Sequence, residues 1–193
     1  MWKGFLAGLV VANGFEWVAH KYILHGTHRA GQRRYSPVPE SMKSHWEHHR
    51  EVRKTSFHDH GYVEGIRNWR TKNEIVSLAV VATVFYPISK GMSLAALYSA
   101  ANYYYIHRRA HLEPDWAVKK IPWHYDHHMN SNQDANWCVT KPWFDYILGT
   151  RVISSQELQE QNPLGITLPH VMAQGLNHLS AAYFPAKWVE KKV

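Results

Sequence analysis

The chain has 193 residues, a net charge of +7 at pH 7 and one cysteine, Cys138. This length is typical of one domain, and a single cysteine excludes both an internal disulfide and a metal cluster held by several thiolates. The basic charge suits an anionic membrane surface, an acidic redox partner or a nucleic acid, but it does not choose among them. We therefore expect one domain, 1–193, in which any metal is held by nitrogen and oxygen.

The first apolar segment runs from Gly4 to Leu24 and predicts a helix of about 31 Å, enough to cross a bilayer core of about 30 Å. His20 and His25, in "HKYILHG", lie five residues apart near its end. On an ideal helix their side chains would diverge by about 140°, so we expect His25 past the helix end or on a bulge. Gly26 suits the residue that ends this helix.

Two almost identical histidine motifs follow, "HWEHH" at 45–49 and "HYDHH" at 124–128. Their spacing puts three imidazoles on one helical face, and "HRRAH" at 107–111 does the same for two. The motifs supply ten candidate metal ligands: His20, His25, His45, His48, His49, His107, His111, His124, His127 and His128. Ten rings are too many for one ion and suit two, so the pattern predicts a dinuclear site.

A second apolar region, 75–107, is broken at "PISKG" and predicts a helical hairpin with arms too short for two clean membrane spans. Strand-like alternation is scarce, so the predicted fold is all-α: a membrane-associated helical bundle with an apolar hairpin. Nine Trp and eleven Tyr resemble an interfacial aromatic belt. The many Lys and Arg residues between 29 and 72 favour a cytosolic position for the histidine-rich cap. A soluble bundle stays open as the alternative because the polar segments are long.

Neutral imidazole suits iron, zinc, copper or nickel rather than magnesium or calcium. An all-histidine ligand set leaves the metal charge uncompensated and calls for nearby acids that also orient the rings. The candidates for this supporting role are Glu16, Glu47, Asp59 and Asp126, with His58 and His60 as supporting groups or additional ligands. We expect His28, His170 and His178 to be ordinary histidines.

The order HX4H, HX2HH, HX3H, HX2HH around an apolar hairpin resembles the membrane di-iron fatty acid hydroxylase and sterol desaturase superfamily. The segment "NWCVTKPWFDYILGT" at 136–150 is similar to the ending of that superfamily. The resemblance covers about residues 8–152 and implies that all ten motif histidines are metal ligands. The first motif also resembles that of carotenoid hydroxylases, a sister group in which the third motif is more often HX4H.

The resemblance implies two iron ions, O2 as co-substrate, and hydroxylation or desaturation of an unactivated C–H bond in a lipid-like substrate such as a fatty acyl chain or sterol. Zinc can replace iron on isolation. The usual fused cytochrome b5 domain is not recognisable, so we expect electrons from a separate reductase, ferredoxin or cytochrome b5-type protein. Aromatic residues expected along the substrate tunnel are Trp46, Tyr103, Tyr104 and Tyr125.

Two other classes of function are consistent with parts of the sequence. A non-catalytic membrane scaffold could use the same histidines to bind zinc. Nucleic-acid binding rests on net charge alone, and no recognition motif accompanies that charge, so we expect no nucleic-acid partner.

Overall fold

The computed structural model describes residues 1–25, 40–84 and 89–153, and this part of the chain is helical, without strands. The elements are α1 (Trp2–Val18), a π-helical segment (Ala19–Leu24), α2 (Glu40–Lys54), α3 (Gly61–Glu64), a 3-10 turn (Gly65–Arg67), α4 (Trp69–Val84), α5 (Lys90–Leu112), α6 (Pro114–Lys120), α7 (Pro122–Met129) and α8 (Trp143–Ile147). The all-α prediction is therefore confirmed for the described residues. Gly26, His28, His170 and His178 lie outside them.

Helices α1 and α5 form the most extensive helix pair, and they run in the same direction. Gly4 lies beside Gly91, and Gly8 lies beside Ala95 one turn further along both helices. A Cβ atom added at Gly8 would come within 2.6 Å of the Ala95 Cβ. Small residues thus let the two backbones approach closely, and this fixes the height of the histidines on α5 relative to those on the π-helical segment that follows α1.

The predicted hairpin corresponds to α4 and α5, which pack against each other on either side of residues 85–88. Helix α5 begins where the Ser89 hydroxyl accepts a hydrogen bond from the Met92 N–H at 3.1 Å, a regular N-terminal cap. Helices α6 and α7 both begin with proline, which is tolerated there because the first helical N–H has no partner within the helix. Helix α2 packs against α4 and α7.

Two small apolar clusters support the histidine-bearing elements. The larger one joins the end of α2 to α6 and α7 through Val52, Phe57, Ile121 and Trp123. In the smaller one Trp17 packs with Trp137 and Cys138, and the cysteine is fully buried. The Trp123 indole N–H donates to the Val139 carbonyl at 2.9 Å, so the segment that follows α7 is also tied to α7.

The long N-terminal helix differs from the expected one in its second half. The regular α-helix ends at Val18, and the chain continues to Leu24 as π-helix. Within the described part of the chain, we find no helix that combines the length and the apolar character needed to cross a membrane. Apolar side chains on α1, α4 and α5 are nevertheless exposed, among them Leu6, Val10, Val76, Val80 and Leu97.

Candidate metal centre

The π-helical segment explains how the two histidines of the first motif, five residues apart, can face the same side. The His25 N–H donates to the His20 carbonyl at 3.0 Å, a hydrogen bond that spans five residues instead of four. This wider turn brings the rings of His20 and His25 to the same side, with their centroids 5.1 Å apart. The expectation that His25 lies past the helix end or on a bulge agrees with its position directly after the π-helical segment. On α5, where His107 and His111 are four residues apart, a regular α-helix gives the same result, with centroids 4.9 Å apart.

The histidines converge into two neighbouring groups, in each of which the ligand nitrogens lie within 4.8 Å of one another. The first histidine group contains His20, His25, His45, His49 and His127. The second histidine group contains His48, His107, His111 and His128. Each of the nine is buried. The groups adjoin, since the rings of His49 and His128 are 4.1 Å apart between centroids.

The tenth histidine, His124, lies beside the second histidine group. Its Nε2 is 3.1 Å from the His111 Nε2, and its ring centroid is 4.9 Å from that of His107 and 4.6 Å from that of His128. It occupies the place in the second group that His45 has in the first, because each is the first histidine of its triple. We therefore treat His124 as the fifth potential ligand of the second group.

Each half of the chain contributes one histidine to the group that the other half mainly forms. The first half supplies His20, His25, His45 and His49 to the first group but sends His48 to the second. The second half does the reverse and sends His127 to the first group. The exchanged residue is the middle histidine of each triple, so the repeated sequence order is also a repeated spatial order.

Burial favours the neutral form of most of these rings. Loss of solvation, together with the other histidines nearby, lowers the pKa of most of them, and that of His127 falls to about 4 although its bond to the Ala135 carbonyl opposes the shift. The other histidines with a lowered pKa are His20, His25, His45, His48, His49, His111, His124 and His128. A neutral imidazole has a lone pair for a metal, so this state is the one that metal binding requires.

Backbone carbonyls orient three of the rings through Nδ1. His20 donates to the Trp137 carbonyl, His111 to the Phe57 carbonyl at 2.9 Å, and His127 to the Ala135 carbonyl at 2.7 Å. A carbonyl oxygen only accepts, so in each ring the proton lies on Nδ1 and the lone pair on Nε2. The Nε2 atoms point into the groups. Such hydrogen bonds fix both tautomer and ring orientation in metal sites.

Two carboxylates orient rings of the second group. His48 Nδ1 lies 2.7 Å from Asp59, which also accepts from Arg70 and from the Gly61 N–H at 2.8 Å each. Burial raises the pKa of Asp59, but the contacts with His48 and Arg70 outweigh it and the net pKa is lowered. The structure thus places Asp59 where the sequence analysis expected a supporting acid.

Glu74 is the second of these carboxylates, and the sequence analysis missed it. Its Oε1 lies 2.6 Å from His107 Nδ1, and its Oε2 accepts from the Tyr62 hydroxyl at 2.6 Å. Glu74 is 33 positions from His107 and belongs to none of the motifs. The available signal was a single acid in the run "EIVSLAVVATV", where a carboxylate on an otherwise apolar helix needs a buried partner.

Glu16 and Asp145 hold the segment that covers the first group. Asp145 accepts from the N–H groups of Trp137 and Cys138 at 2.8 Å each, and Glu16 accepts from those of Val139 and Thr140. Glu16 therefore positions the segment that carries the Trp137 carbonyl rather than contacting a ring. Its burial raises the pKa of its carboxyl to about 7.

The remaining predicted supporting residues lie elsewhere. Asp126 is buried and bonds Arg151 at 2.9 Å, which connects α7 to the end of the 136–150 segment. Glu47 and His60 are exposed and His58 is half-buried, with the His58 and His60 rings stacked 6.3 Å apart. The structure does not bring these last three to the histidine groups. Gln133, which was not predicted, lies 3.3 Å from His49 Nδ1 and donates to the His128 carbonyl.

A cavity of about 220 Å³ reaches both groups from the side of α1, α4 and α5. It is largely apolar, and it touches His20 and His45 of the first group and His48 and His107 of the second. Tyr103 lines it, as expected. The other three expected aromatic residues pack elsewhere: Trp46 against His25, Tyr104 against Tyr62, and Tyr125 against Phe57.

The donor set fits metal ions. Within the described residues, the buried Nε2 atoms of His48, His107 and His128 have no hydrogen-bond partner. Each unpartnered buried polar atom costs about 1–3 kcal/mol, so three at one point indicate a missing ligand. Five converging imidazole nitrogens in the first group, and four in the second with His124 beside them, can supply the coordination of iron or zinc.

Comparison with known proteins gave no assignment: no family model, curated protein or solved structure matches the chain. The described part of the structure is helical and contains two adjacent, buried histidine groups that could hold metal ions.

Proposed function

We propose that this chain is a di-iron, O2-dependent oxidoreductase that hydroxylates or desaturates an unactivated C–H bond of a lipid-like substrate, such as a fatty acyl chain or a sterol. One observation carries the proposal: a largely apolar cavity touches histidines of both groups. An apolar chain in this cavity would lie directly against a dinuclear centre. A metal site with a purely structural role needs no such cavity beside it.

The residues present would act as ligands and positioning groups. Two ferrous ions, when bound, would supply electrons to O2 and make an oxidant strong enough to take hydrogen from a C–H bond, which side chains alone cannot do. The ten histidines would bind the ions through ring nitrogens, and through Nε2 in the five rings whose Nδ1 is held by Asp59, Glu74 or a backbone carbonyl. Apolar walls, including Phe15 and Leu78, would keep water from the reacting carbon.

Membrane association and an external electron donor belong to the same proposal. Exposed apolar residues on α1, α4 and α5 support contact with lipid on the side of the cavity. Exposed basic residues, among them Arg53, Lys54, Lys119 and Lys120, support contact with an acidic reductase, ferredoxin or cytochrome b5-type protein, or with anionic headgroups on the cytosolic side.

The test is metal analysis with Mössbauer spectroscopy on protein from cells grown with iron-57 and purified without chelators. We expect close to two coupled irons per chain and O2 uptake that depends on a lipid-like substrate and a reductant. Zinc alone, with no iron retained after anaerobic reconstitution, would favour the non-catalytic scaffold. Expression in a carotenoid-producing host, followed by pigment analysis, separates carotenoids from acyl or sterol substrates.

His48→Ala and His127→Ala test the site itself, because these are the two exchanged histidines. Each variant should lose tight binding of one ion and all activity while its helical content stays unchanged. His60→Ala, at an exposed histidine outside both groups, is the matched control and should retain both ions. Full two-metal occupancy in both of the first two variants would refute the assignment.

A further inference from the structure

The two histidine groups differ in the groups that hold their rings. In the second group, His48 is bonded to Asp59 and His107 to Glu74. In the first group, the described residues provide only uncharged partners for the rings: the carbonyls of Trp137 and Ala135, and the Gln133 amide. The ligand types are the same in both groups, so this difference in charge is the main chemical difference between the two metal positions.

We propose that the two positions are unequal, that the second histidine group binds its ion more tightly, and that Glu74 is the main cause. This inference rests on the metal binding in the proposed function, but not on the reaction. A carboxylate behind an imidazole raises the basicity of the ligand and offsets part of the metal charge. A carbonyl behind an imidazole orients the ring without adding a charge.

Glu74 contributes more than Asp59 because of what else each carboxylate contacts. Asp59 forms a salt bridge with Arg70 at 2.8 Å, so its charge is largely balanced before any metal binds. The second partner of Glu74 is the Tyr62 hydroxyl, which is uncharged. The Glu74 carboxylate is bonded to a ring whose Nε2 has no partner, and among the described residues it forms no salt bridge with an Arg or Lys, so its negative charge remains available to the metal position.

The geometry also explains why Glu74 acts on one position only. Its carboxylate is bonded to His107, a ring of the second group, and it lies on the cavity wall formed by α4. The corresponding histidine of the first half is His20, and its Nδ1 is bonded to the Trp137 carbonyl. The repeat in the chain thus places a charged partner at one position and an uncharged partner at the equivalent one.

The experiment is competition between the full chain and a colorimetric chelator for Co²⁺, with metal content measured separately by mass spectrometry. The wild-type protein should bind two ions with two distinct affinities. Glu74→Gln, which keeps the shape and removes the charge, should weaken one affinity about 10–100-fold and leave the other within about threefold. Asp59→Asn should weaken the same affinity by a smaller factor. Glu64→Gln removes an exposed carboxylate that accepts from Asn68, and it is the charge-matched control.

Variants that remove one position identify which ion responds. His25→Ala disables the first group, and the remaining ion should show the tighter affinity and respond to Glu74→Gln. His111→Ala disables the second group. The remaining ion should then bind with the weaker affinity, and Glu74→Gln should leave that affinity unchanged. Tyr62→Phe keeps the charge of Glu74 and should change the affinity less than Glu74→Gln does.

The outcomes separate this inference from the proposed function. The inequality would be overturned if the two ions bound with equal affinities. It would also be overturned if Glu74→Gln weakened both affinities equally, or weakened mainly the affinity of the first group. These results would leave the metal centre itself in place. No Co²⁺, Zn²⁺ or Fe²⁺ bound by folded wild-type protein would overturn both.

Discussion

At the scale of single residues, Glu16 predicts a pH dependence of stability that a surface carboxylate would not give. Its pKa is raised from 4.5 to about 7 by burial, so the folded state holds this proton more tightly than the unfolded state. The free energy of unfolding should therefore fall as pH rises from about 4.5 to about 7. Relative to Glu16→Gln, metal-loaded wild-type protein should lose about 3 kcal/mol across this range.

The measurement is urea unfolding of both proteins at pH 5 and pH 8, with the difference between them as the result, so that titration of all other groups cancels. Glu16→Gln preserves the acceptor for the backbone N–H groups. A difference that is constant over this range would show that Glu16 titrates normally in the folded protein.

The sequence revealed most of the candidate ligands but few of the residues that position them. Eight of the ten histidines were recognisable because metal ligands on one regular helix repeat at three- or four-residue spacing, and His20 and His25 were recognisable from the bulge or helix end that their five-residue spacing predicts. Glu74 and the carbonyls of Trp137 and Ala135 were not, because a long-range contact leaves no spacing to detect. Glu47 was expected on proximity in sequence alone, but it lies on the outer face of α2 and is exposed.

At the scale of helices, the contact between α1 and α5 predicts an unequal response of two glycines. Gly8→Ala would place a Cβ 2.6 Å from the Ala95 Cβ, so the helices must separate, and we expect a loss of about 1–3 kcal/mol. Gly4→Ala is the matched control, because its nearest neighbour would be the Ser89 Oγ at 3.4 Å. There the better helix propensity of alanine should leave stability unchanged or higher. Urea unfolding of the two variants measures these changes in the free energy of unfolding. Equal changes in both variants would contradict the close packing of α1 against α5.

The π-helical segment predicts that one residue can be removed from the first motif without loss of the site. Deletion of the exposed Tyr22 converts the HX4H spacing to the HX3H spacing of α5, which a regular α-helix can use. We expect the variant to keep two ions, as measured by metal content. Deletion of the exposed Val10 is the control; it shifts Gly8 out of register with Ala95 and should destabilise the protein. Loss of one ion on deletion of Tyr22 would show that the wider turn itself is required.

The helices were predictable where composition and spacing agree, as in the apolar arms that became α4 and α5. The π-turn was anticipated only as one of two options, since five-residue spacing fits either a bulge or a helix end. The parallel arrangement of α1 and α5 was not predictable, because it depends on which small residues meet across the interface.

At the scale of the whole molecule, the exchange of His48 and His127 makes the two halves depend on each other. Neither half can complete a five-histidine group alone, so metal binding should link α1 and α2 to α5 and α7. Half of the buried polar or charged residues in the described part of the chain are histidines, and these rings are acceptable in the interior only when they are neutral or bound to metal. The stability of the fold should therefore depend strongly on both metal and protons.

Acid unfolding of the metal-free protein tests this dependence. Most of the buried histidines have a pKa below the ordinary value of 6.5, as His20, His45 and His128 show, so below that pH the unfolded state binds more protons than the folded state does. Their contribution to stability is present above pH 6.5 and is lost as pH falls, by up to about 1.4 kcal/mol per ring for each pH unit. The summed loss from several such rings exceeds a typical free energy of unfolding of about 5–15 kcal/mol, so metal-free protein should lose its helical circular dichroism steeply between about pH 6 and 5.

Zinc-loaded protein should unfold at a lower pH, because bound ions hold the rings deprotonated. If the metal-free protein keeps its helices to pH 4, the rings are protonated within the fold, and the histidine groups are more open to water than their burial indicates.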